Sequence, residues 1–226
     1  MVNVEVVTLT DEMPDQFDEA FWDGRYRSHA ALWSGEPNRH LVAEADSLTP
    51  GTALDVGSGE GADAIWLAER GWRVTAVDLS TVALGRAAAH AAQAGANIAE
   101  RIDWLHRDLT SWDPAPGRYD LVSAQYMHLV PAASRQALFG RLATAVRPDG
   151  TLLIVGHHPS DLQTTALRPS IPDLYFTGDD VAASLDSDEW DFITNTAAGR
   201  PTTDPDGHTV TIHDTVLRAR RHQKHQ

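Results

Sequence analysis

Short β-branched runs alternate with alanine-rich amphipathic stretches from residue 52 to residue 157. Residues 52–56 read as a first strand and 60–70 as the helix behind it, closed by Gly71 in the position where helices favour glycine. Residues 73–77 predict a second strand, after which Ser80 caps a long helix that runs through Ala94 and ends at Gly95. Residues 102–106 and 119–124 predict a third and a fourth strand. Residues 134–146 predict an amphipathic helix stopped by the turn Arg147-Pro148-Asp149-Gly150, and 151–157 a fifth strand. Such alternation is the signature of βαβ units on a parallel sheet.

Beyond His158 the period changes. A polar, proline-bearing stretch runs to Pro172, and residues 178–185 predict a short helix. Residues 190–196 and 208–218 predict a strand pair joined across the turn-rich segment 199–207, an antiparallel ending common on parallel sheets. Residues 1–50 are mostly helical in pattern and carry Phe17, Phe21, Trp22, Tyr26 and Trp33. Too few to form a domain, they are expected to cover the ligand edge of the sheet or to pack on its flank, and one helix can do both.

Composition narrows the class. A chain of 226 residues fits one domain of the larger kind, and 42% apolar with 22% charged residues is ordinary for a soluble globular protein. Cysteine is absent, which excludes disulfides, thiolate metal sites and cysteine nucleophiles. The first residues show no basic stretch followed by an apolar run, and no apolar segment approaches the ~20 residues that span a bilayer, so a cytoplasmic location is expected. The net charge of −14 would repel nucleic-acid phosphates. The one basic cluster, RARRHQKHQ at the end, is expected to be a solvated tail rather than a binding arm.

The candidate chemistry lies in residues 54–80, LDVGSGEGADAIWLAERGWRVTAVDLS. Glycines at a strand end let the backbone approach a ligand closely, and the helix starting near Glu60 offers unpaired N–H groups. Asp78 closes the second strand 21 residues after Gly57, where a carboxylate can accept both hydroxyls of a ribose. Gly57, Gly59 and Ala62 also satisfy the dinucleotide fingerprint, so an NAD-dependent oxidoreductase is an alternative. Three features weigh against it. Asp55 is expected to face the ligand and repel a pyrophosphate, Glu60 adds a second negative charge, and the aromatic segment comes first. A nucleoside carrying an amino acid and a positive charge suits such a site better.

With His106-Arg107-Asp108-Leu109 and Tyr119-Asp120-Leu121-Val122, this loop resembles the motifs of class I S-adenosylmethionine-dependent methyltransferases over roughly residues 20–156. The upstream WDGRYRSHAALWSGEPNRHL is similar to the small-molecule branch that includes relatives of tellurite-resistance and thiopurine methyltransferases. The resemblance implies an α/β fold: a three-layer, doubly wound, mostly parallel seven-stranded sheet of the Rossmann-like kind, with an antiparallel C-terminal strand and an N-terminal helical cover. It implies one domain, with a cover in 1–50, a cofactor core in 51–158, an acceptor-side segment and strands in 159–218, and a tail in 219–226. It also implies that Gly57, Gly59 and Gly61, with Ser58 in the same loop, wrap the methionine part of S-adenosylmethionine, while Asp55 orients the loop and the ammonium. Asp78 would hold the ribose with Leu79 on the adenine, Asp108 would accept from the adenine N6 with Leu109 beside the ring, and Gln125 and Tyr126 would lie near the methyl group.

Methyl transfer needs a base only if the acceptor keeps its proton. His128, His157 and His158 stand where one could sit, and because neighbouring strand residues point to opposite faces, one of the last two is expected to face the pocket. The three lack recognisable metal-ligand spacing, so no metal is expected. The DNA-amino motif is missing at Ala124-Gln125-Tyr126-Met127, which with the acidic charge argues against a nucleic-acid acceptor. A small-molecule O, N or S nucleophile is the expected acceptor, recognised by residues 159–176. Trp22, Tyr26, Trp33, Tyr126 and Tyr175 would suit a flat molecule, adenine packing or a cation–π contact. A catalytically silent S-adenosylmethionine-binding module is the remaining alternative, and monomer and homodimer fit the pattern equally.

Overall fold

In the computed structural model, which describes residues 17–129 and 131–223, seven strands form one sheet. They are β1 (Thr52–Val56), β2 (Arg73–Asp78), β3 (Ile102–His106), β4 (Tyr119–Gln125), β5 (Val146–His157), β6 (Trp190–Thr203) and β7 (Thr209–Arg221), in the order β3-β2-β1-β4-β5-β7-β6. β1 to β5 pair in parallel, and β7 runs antiparallel to both β5 and β6. The helices are α1 (Glu19–Ser28), α2 (Arg39–Ala45), α3 (Ala62–Glu69), α4 (Thr81–Ala94), α5 (Ala96–Ala99), α6 (Ala132–Ala145) and α7 (Gly178–Ala182). The Rossmann-like layering expected from the sequence is the one observed.

The two-residue strand period builds a core on each face. Leu54, Val122, Ala124, Leu152 and Ile154 pack on one side with Leu138, Phe139 and Leu142 of α6. Ala53, Leu121, Leu153 and Val155 pack on the other with Leu41 of α2 and Ala64 and Leu67 of α3. Each fully buried leucine of this kind contributes about 1.5–3 kcal/mol of apolar burial, so the alternation itself fixes which residues reach which face.

Several boundaries differ from the sequence reading. The turn expected at Arg147–Gly150 lies inside β5 as an outward bulge: Tyr119 pairs with Val146 and Leu121 with Thr151, and Asp149 has φ +64°. β6 runs to Thr203, past the turn expected from Gly199, because β7 pairs with it as far as Thr203↔Thr209. Pro201 is tolerated there since β6 is an edge strand and needs no donor on its open side. The basic end is no frayed tail as far as Arg221. Arg218, Arg220 and Arg221 lie in β7 and pair with Glu44, Asp149 and Glu189. Residues 1–16 and 224–226 lie outside the described residues, and with them the reading of the N-terminal segment before Phe17.

Candidate functional site

A cavity of about 700 Å³ opens at the carboxyl ends of β1, β2 and β4, at the switch point where the strand order reverses. The loop after β1 forms its floor. Gly57 and Ser58 donate their amides to the Val77 carbonyl, and Asp78 Oδ2 accepts from the Gly59 amide at 2.8 Å. Its Oδ1 accepts from the Ser80 amide at 2.8 Å, so the β2 carboxylate ties the glycine loop to the start of α4. Gly59 has φ +52°, and a Cβ there would stand 3.2 Å from the Tyr26 hydroxyl and 3.4 Å from Trp33 Nε1. Gly61 has φ +90° and lines the cavity with its backbone, while a Cβ there would run into Trp104 and Ala87.

The expectation for Asp55 is corrected. It shares its strand face with Ala53, beneath α3, and is absent from the cavity wall. There it is 2% exposed, accepts from the Ala64 amide, and leaves Oδ2 without a partner. Burial, with Asp63 and Asp78 nearby, pushes its carboxyl well above the usual range. Asp63, which sequence reasoning missed, does line the cavity, where it accepts from the Asn38 amide at 2.6 Å. Burial raises it to about 6. Burial raises Asp78 as well, against the amides that favour its charge. No described Arg or Lys pairs with these three carboxylates. The only trace of Asp63 in the sequence is its place one residue into α3.

Glu60, expected to bring free negative charge, is paired with Arg86 at 2.8 Å and accepts from the Leu32 and Trp33 amides. Arg86 also donates to the Tyr26 and His29 carbonyls, and Asp23 of α1 accepts from Ser80 Oγ at 2.6 Å. The cover is thus bolted to the loop. Tyr26 and Trp33, joined by a 3.0 Å bond, line the cavity, as Trp22 does. Further round stand Leu79, Leu109 and Asp108. Asp108 Oδ1 closes a turn on the Thr110 amide and hydroxyl, leaving Oδ2 without a donor among the described residues. Gln125 and Ser123 share a 2.6 Å bond, and the outer Gln125 amide atom, like Ser58 Oγ, is buried without a partner.

The opposite wall is built by distant segments. Tyr126, with φ +48°, lies with its ring 4.9 Å from that of His157 and its hydroxyl facing Asp214 and Arg200. Asp214, wholly buried, accepts from Arg168 at 2.9 Å, Arg200 at 2.7 Å and His40 at 3.1 Å. Burial opposes its ionisation, but these three partners hold it well below the usual carboxylate range. Arg168 also bonds Asp161 at 3.1 Å and reaches His157 Nδ1 at 2.6 Å. His128 lines the cavity beside Trp22, with ring centroids 5.7 Å apart, and burial with Arg25 nearby lowers it to about 4.

Of the three histidines, His128 and His157 line the cavity and His158 does not. His158 Nδ1 instead accepts from the Ser160 amide and caps the short turn Pro159–Gln163. Tyr175, proposed for the acceptor, turns away, packing on Phe17 and donating to the Pro169 carbonyl at 2.7 Å. Within 159–176 only Leu167, Arg168 and Pro169 reach the cavity, joined by Arg200, Thr202, Thr203 and Ile212 of the long hairpin. The hairpin reaches the cavity through residues beyond 196, where the sequence pattern predicts the strand to end.

Comparison with known proteins agrees with this geometry. Residues 53–150 match the family described as methyltransferase domain. A 2-heptyl-1-hydroxyquinolin-4(1H)-one methyltransferase of Mycobacteroides abscessus is 24% identical over 191 residues, covering 77% of this chain and 82% of that protein. An uncharacterized methyltransferase of Mycobacterium tuberculosis is 39% identical over 122 residues, covering 52% of this chain and 58% of that one. In fold, the chain is similar to magnesium protoporphyrin IX methyltransferase from Synechocystis with bound S-adenosylmethionine (TM-score 0.61, 20% identity, 90% and 94% covered). It is also similar to TehB from Haemophilus influenzae (TM-score 0.63, 17% identity, 89% and 66% covered). Residues 53–150 thus carry a methyltransferase domain, on a fold shared with S-adenosylmethionine-dependent methyltransferases. Neither the NAD-dependent oxidoreductase nor the silent binding module finds support.

Proposed function

We propose that this methyltransferase acts on a flat, small-molecule nucleophile held between the aromatic cover and His128, and that the glycine-loop half of the cavity holds S-adenosylmethionine. The observation that supports this most is the pair of buried carboxylates Asp63 and Asp78 on the cavity wall, with no Arg or Lys partner among the described residues, beside the unpartnered Ser58 Oγ and over the buried Asp55. Such a floor suits a ligand that brings ammonium and hydroxyl donors. Asp78 and Asp63 would take those donors, Leu79, Leu109 and Asp108 would receive the base, and the outer Gln125 amide would border the reacting centre. Bound there, S-adenosylmethionine supplies a methyl group on a cationic sulfur.

The protein's own part is positioning and proton handling. Holding two reactants in line is worth roughly 7–11 kcal/mol of barrier. One ring nitrogen of His128 faces the Tyr126 carbonyl, which favours the proton there and leaves a lone pair on the other. His128 receives the acceptor's proton. A base lowered to about 4 suffices for a hydroxyl acceptor, whose O–H becomes strongly acidic once its oxygen is methylated.

The named hydroxyquinolone substrate of the Mycobacteroides relative, a flat heterocycle with an acidic hydroxyl, fits the same reading. So does the net charge of −14, which disfavours nucleic acid. No described helix is long and apolar enough to cross a membrane, and a cytoplasmic place and a single-domain organisation are part of this proposal. Calorimetric titration with S-adenosylmethionine, S-adenosylhomocysteine and NAD tests it: the two adenosyl ligands are expected to bind saturably and NAD not at all. Once an acceptor is in hand, His128→Phe is expected to lower kcat by roughly 10²–10⁴-fold, and an unchanged kcat would remove the base from the scheme.

A further inference from the structure

Four buried or half-buried groups around His157 carry a specific electrical arrangement that the methyl-transfer scheme has not used. Arg168, with 7% of its side chain exposed, lies between two buried carboxylates, Asp161 and Asp214. Arg200 pairs with Asp214 from the other side, at 2.7 Å. The two guanidiniums and two carboxylates pair with one another, and the carboxylates' remaining contacts go to the His40 and His213 rings, so neither carboxylate turns to His157. The guanidinium is a donor only, so its 2.6 Å contact makes His157 Nδ1 an acceptor. The proton of the neutral ring then sits on Nε2, which takes no partner among the described residues while the ring lines the cavity. Burial, with His128 and Arg168 close by, lowers His157 well below its ordinary value, in agreement with this geometry.

His157 therefore cannot serve as a base. Nδ1 is occupied, and a second ring proton would face the guanidinium. His128 has the opposite character, with a lone pair toward the cavity, and the two rings stand 5.9 Å apart. A ligand lying against both meets an acceptor and a donor at one short spacing. Resting on the assignment of His128 as base, we propose that Arg168 is a positioning residue that fixes His157 as an Nε2–H donor. The preferred acceptors would then carry their nucleophilic O–H or N–H beside a carbonyl-type oxygen. The nucleophile's hydrogen points to His128 and the neighbouring oxygen accepts from His157. Donor-only neighbours, such as a second ammonium or an aromatic C–H, leave the His157 donor buried and unpaired, which disfavours them.

Two measurements test this on the whole chain. The first uses the unmodified protein: two-bond ¹⁵N–¹H correlation spectra of its histidines, assigned by His157→Phe. The inference expects His157 to show the Nε2–H pattern without titrating between pH 5 and 8. An Nδ1–H pattern, or protonation in that range, overturns it. The second compares 2′-hydroxyacetophenone with 2-ethylphenol, which lacks only the ketone oxygen, as ligands in the presence of S-adenosylhomocysteine. The ketone is expected to bind roughly tenfold more tightly, the value of one hydrogen bond in a buried site. That preference should disappear in His157→Phe and shrink in Arg168→Met. Equal affinities in the unmodified protein, or a preference that survives His157→Phe, overturn the inference. S-Adenosylhomocysteine affinity, read in the same titrations, separates the two layers. If it fails to bind, the cofactor assignment falls; if it binds and the ketone preference is absent, only this inference does.

Discussion

On the β1–β2 side of the cavity, polar groups are held by neighbours in sequence. Asp78 takes the amides of Gly59, 19 positions away, and of Ser80, two away, while Asp63 takes that of Asn38, 25 away. On the β5–β7 side, one carboxylate, Asp214, gathers His40 from 174 positions away together with Arg168 and Arg200. The first side uses main-chain donors and leaves three carboxylates short of cations; the second uses side-chain cations and leaves no carboxylate short. The difference teaches where each half's specificity resides. A main-chain loop can hold one ligand shape across many sequences, whereas a side-chain network changes its demands with each substitution.

The strongest way to break this comparison is Asp214→Ala. Removing the anion leaves Arg168 and Arg200 partly unpaired in a buried site, and the expected loss is about 3–5 kcal/mol in urea unfolding. Because its partners hold Asp214 below the usual carboxylate range, the unmodified protein keeps this stabilisation above the unfolded value of about 3.9 and loses it as pH falls below that. The variant should lack that part of the acid sensitivity. If the halves are separate, S-adenosylhomocysteine affinity in the folded variant stays within about threefold. A collapse of that affinity would show the network supporting both sides.

Asp78→Ala strikes the other half. It leaves the Gly59 and Ser80 amides without their acceptor and removes the proposed ribose contact. S-Adenosylhomocysteine affinity is expected to fall by about 100-fold, the effect of two charge-assisted bonds at the lower end of their range. The His157 spectrum should not move. Unchanged affinity would discard the assigned binding mode.

These two halves were unequally legible. The strands, the Ser80 cap and the Asp78 strand end follow from local periodicity and short-range chemistry, so the sequence led directly to them. Asp55 misled because the glycine loop turns the chain after Val56: strand alternation already sends residue 55 beneath α3 with Ala53, and proximity to the loop in sequence does not alter that face. Gly61 was legible as a loop glycine, but the packing of Trp104 and Ala87 against its bare Cα comes from distant elements and left no local pattern. Arg168, Arg200 and Asp214 carried no signal, since no local pattern links an arginine in an irregular segment to a carboxylate on the seventh strand. The same holds for Thr202 and Thr203, which reach the cavity only because β6 extends past Gly199.

Asp63→Asn sharpens the contrast further. Asparagine keeps an acceptor for the Asn38 amide and removes the buried charge, so the ligand-free protein should gain roughly 1–3 kcal/mol at pH 8. The sign follows from the shift. Burial raises Asp63 in the fold to about 6 from an unfolded 3.8, so the fold holds this proton more tightly, and the charge penalises it fully only above about pH 6. The variant's advantage is therefore expected to shrink as pH falls through that value. S-Adenosylmethionine binding should respond oppositely, weakening in the variant and, in the unmodified protein, as pH falls below about 6. A variant that gains stability without losing affinity would confine Asp63 to the loop's structure.

The smallest effect is expected for His158→Ala. The ring is outside the cavity, and its loss removes one cap of a short turn, which costs about 0.5–1 kcal/mol on the scale of helix caps. Taken alone, that predicts kcat within about twofold of the unmodified enzyme. The turn, however, carries Asp161, which bonds Arg168 at 3.1 Å and the His213 amide at 2.8 Å, so a shifted turn has a route to His157. His158→Asn separates the possibilities because its side-chain oxygen can still accept from the Ser160 amide. A kcat loss in the alanine variant that asparagine restores would place the cap upstream of Arg168, making the acceptor half cooperative from its rim inward. A loss that asparagine leaves unrestored would mean the imidazole itself reaches the reaction, against its position on the far side of the strand end.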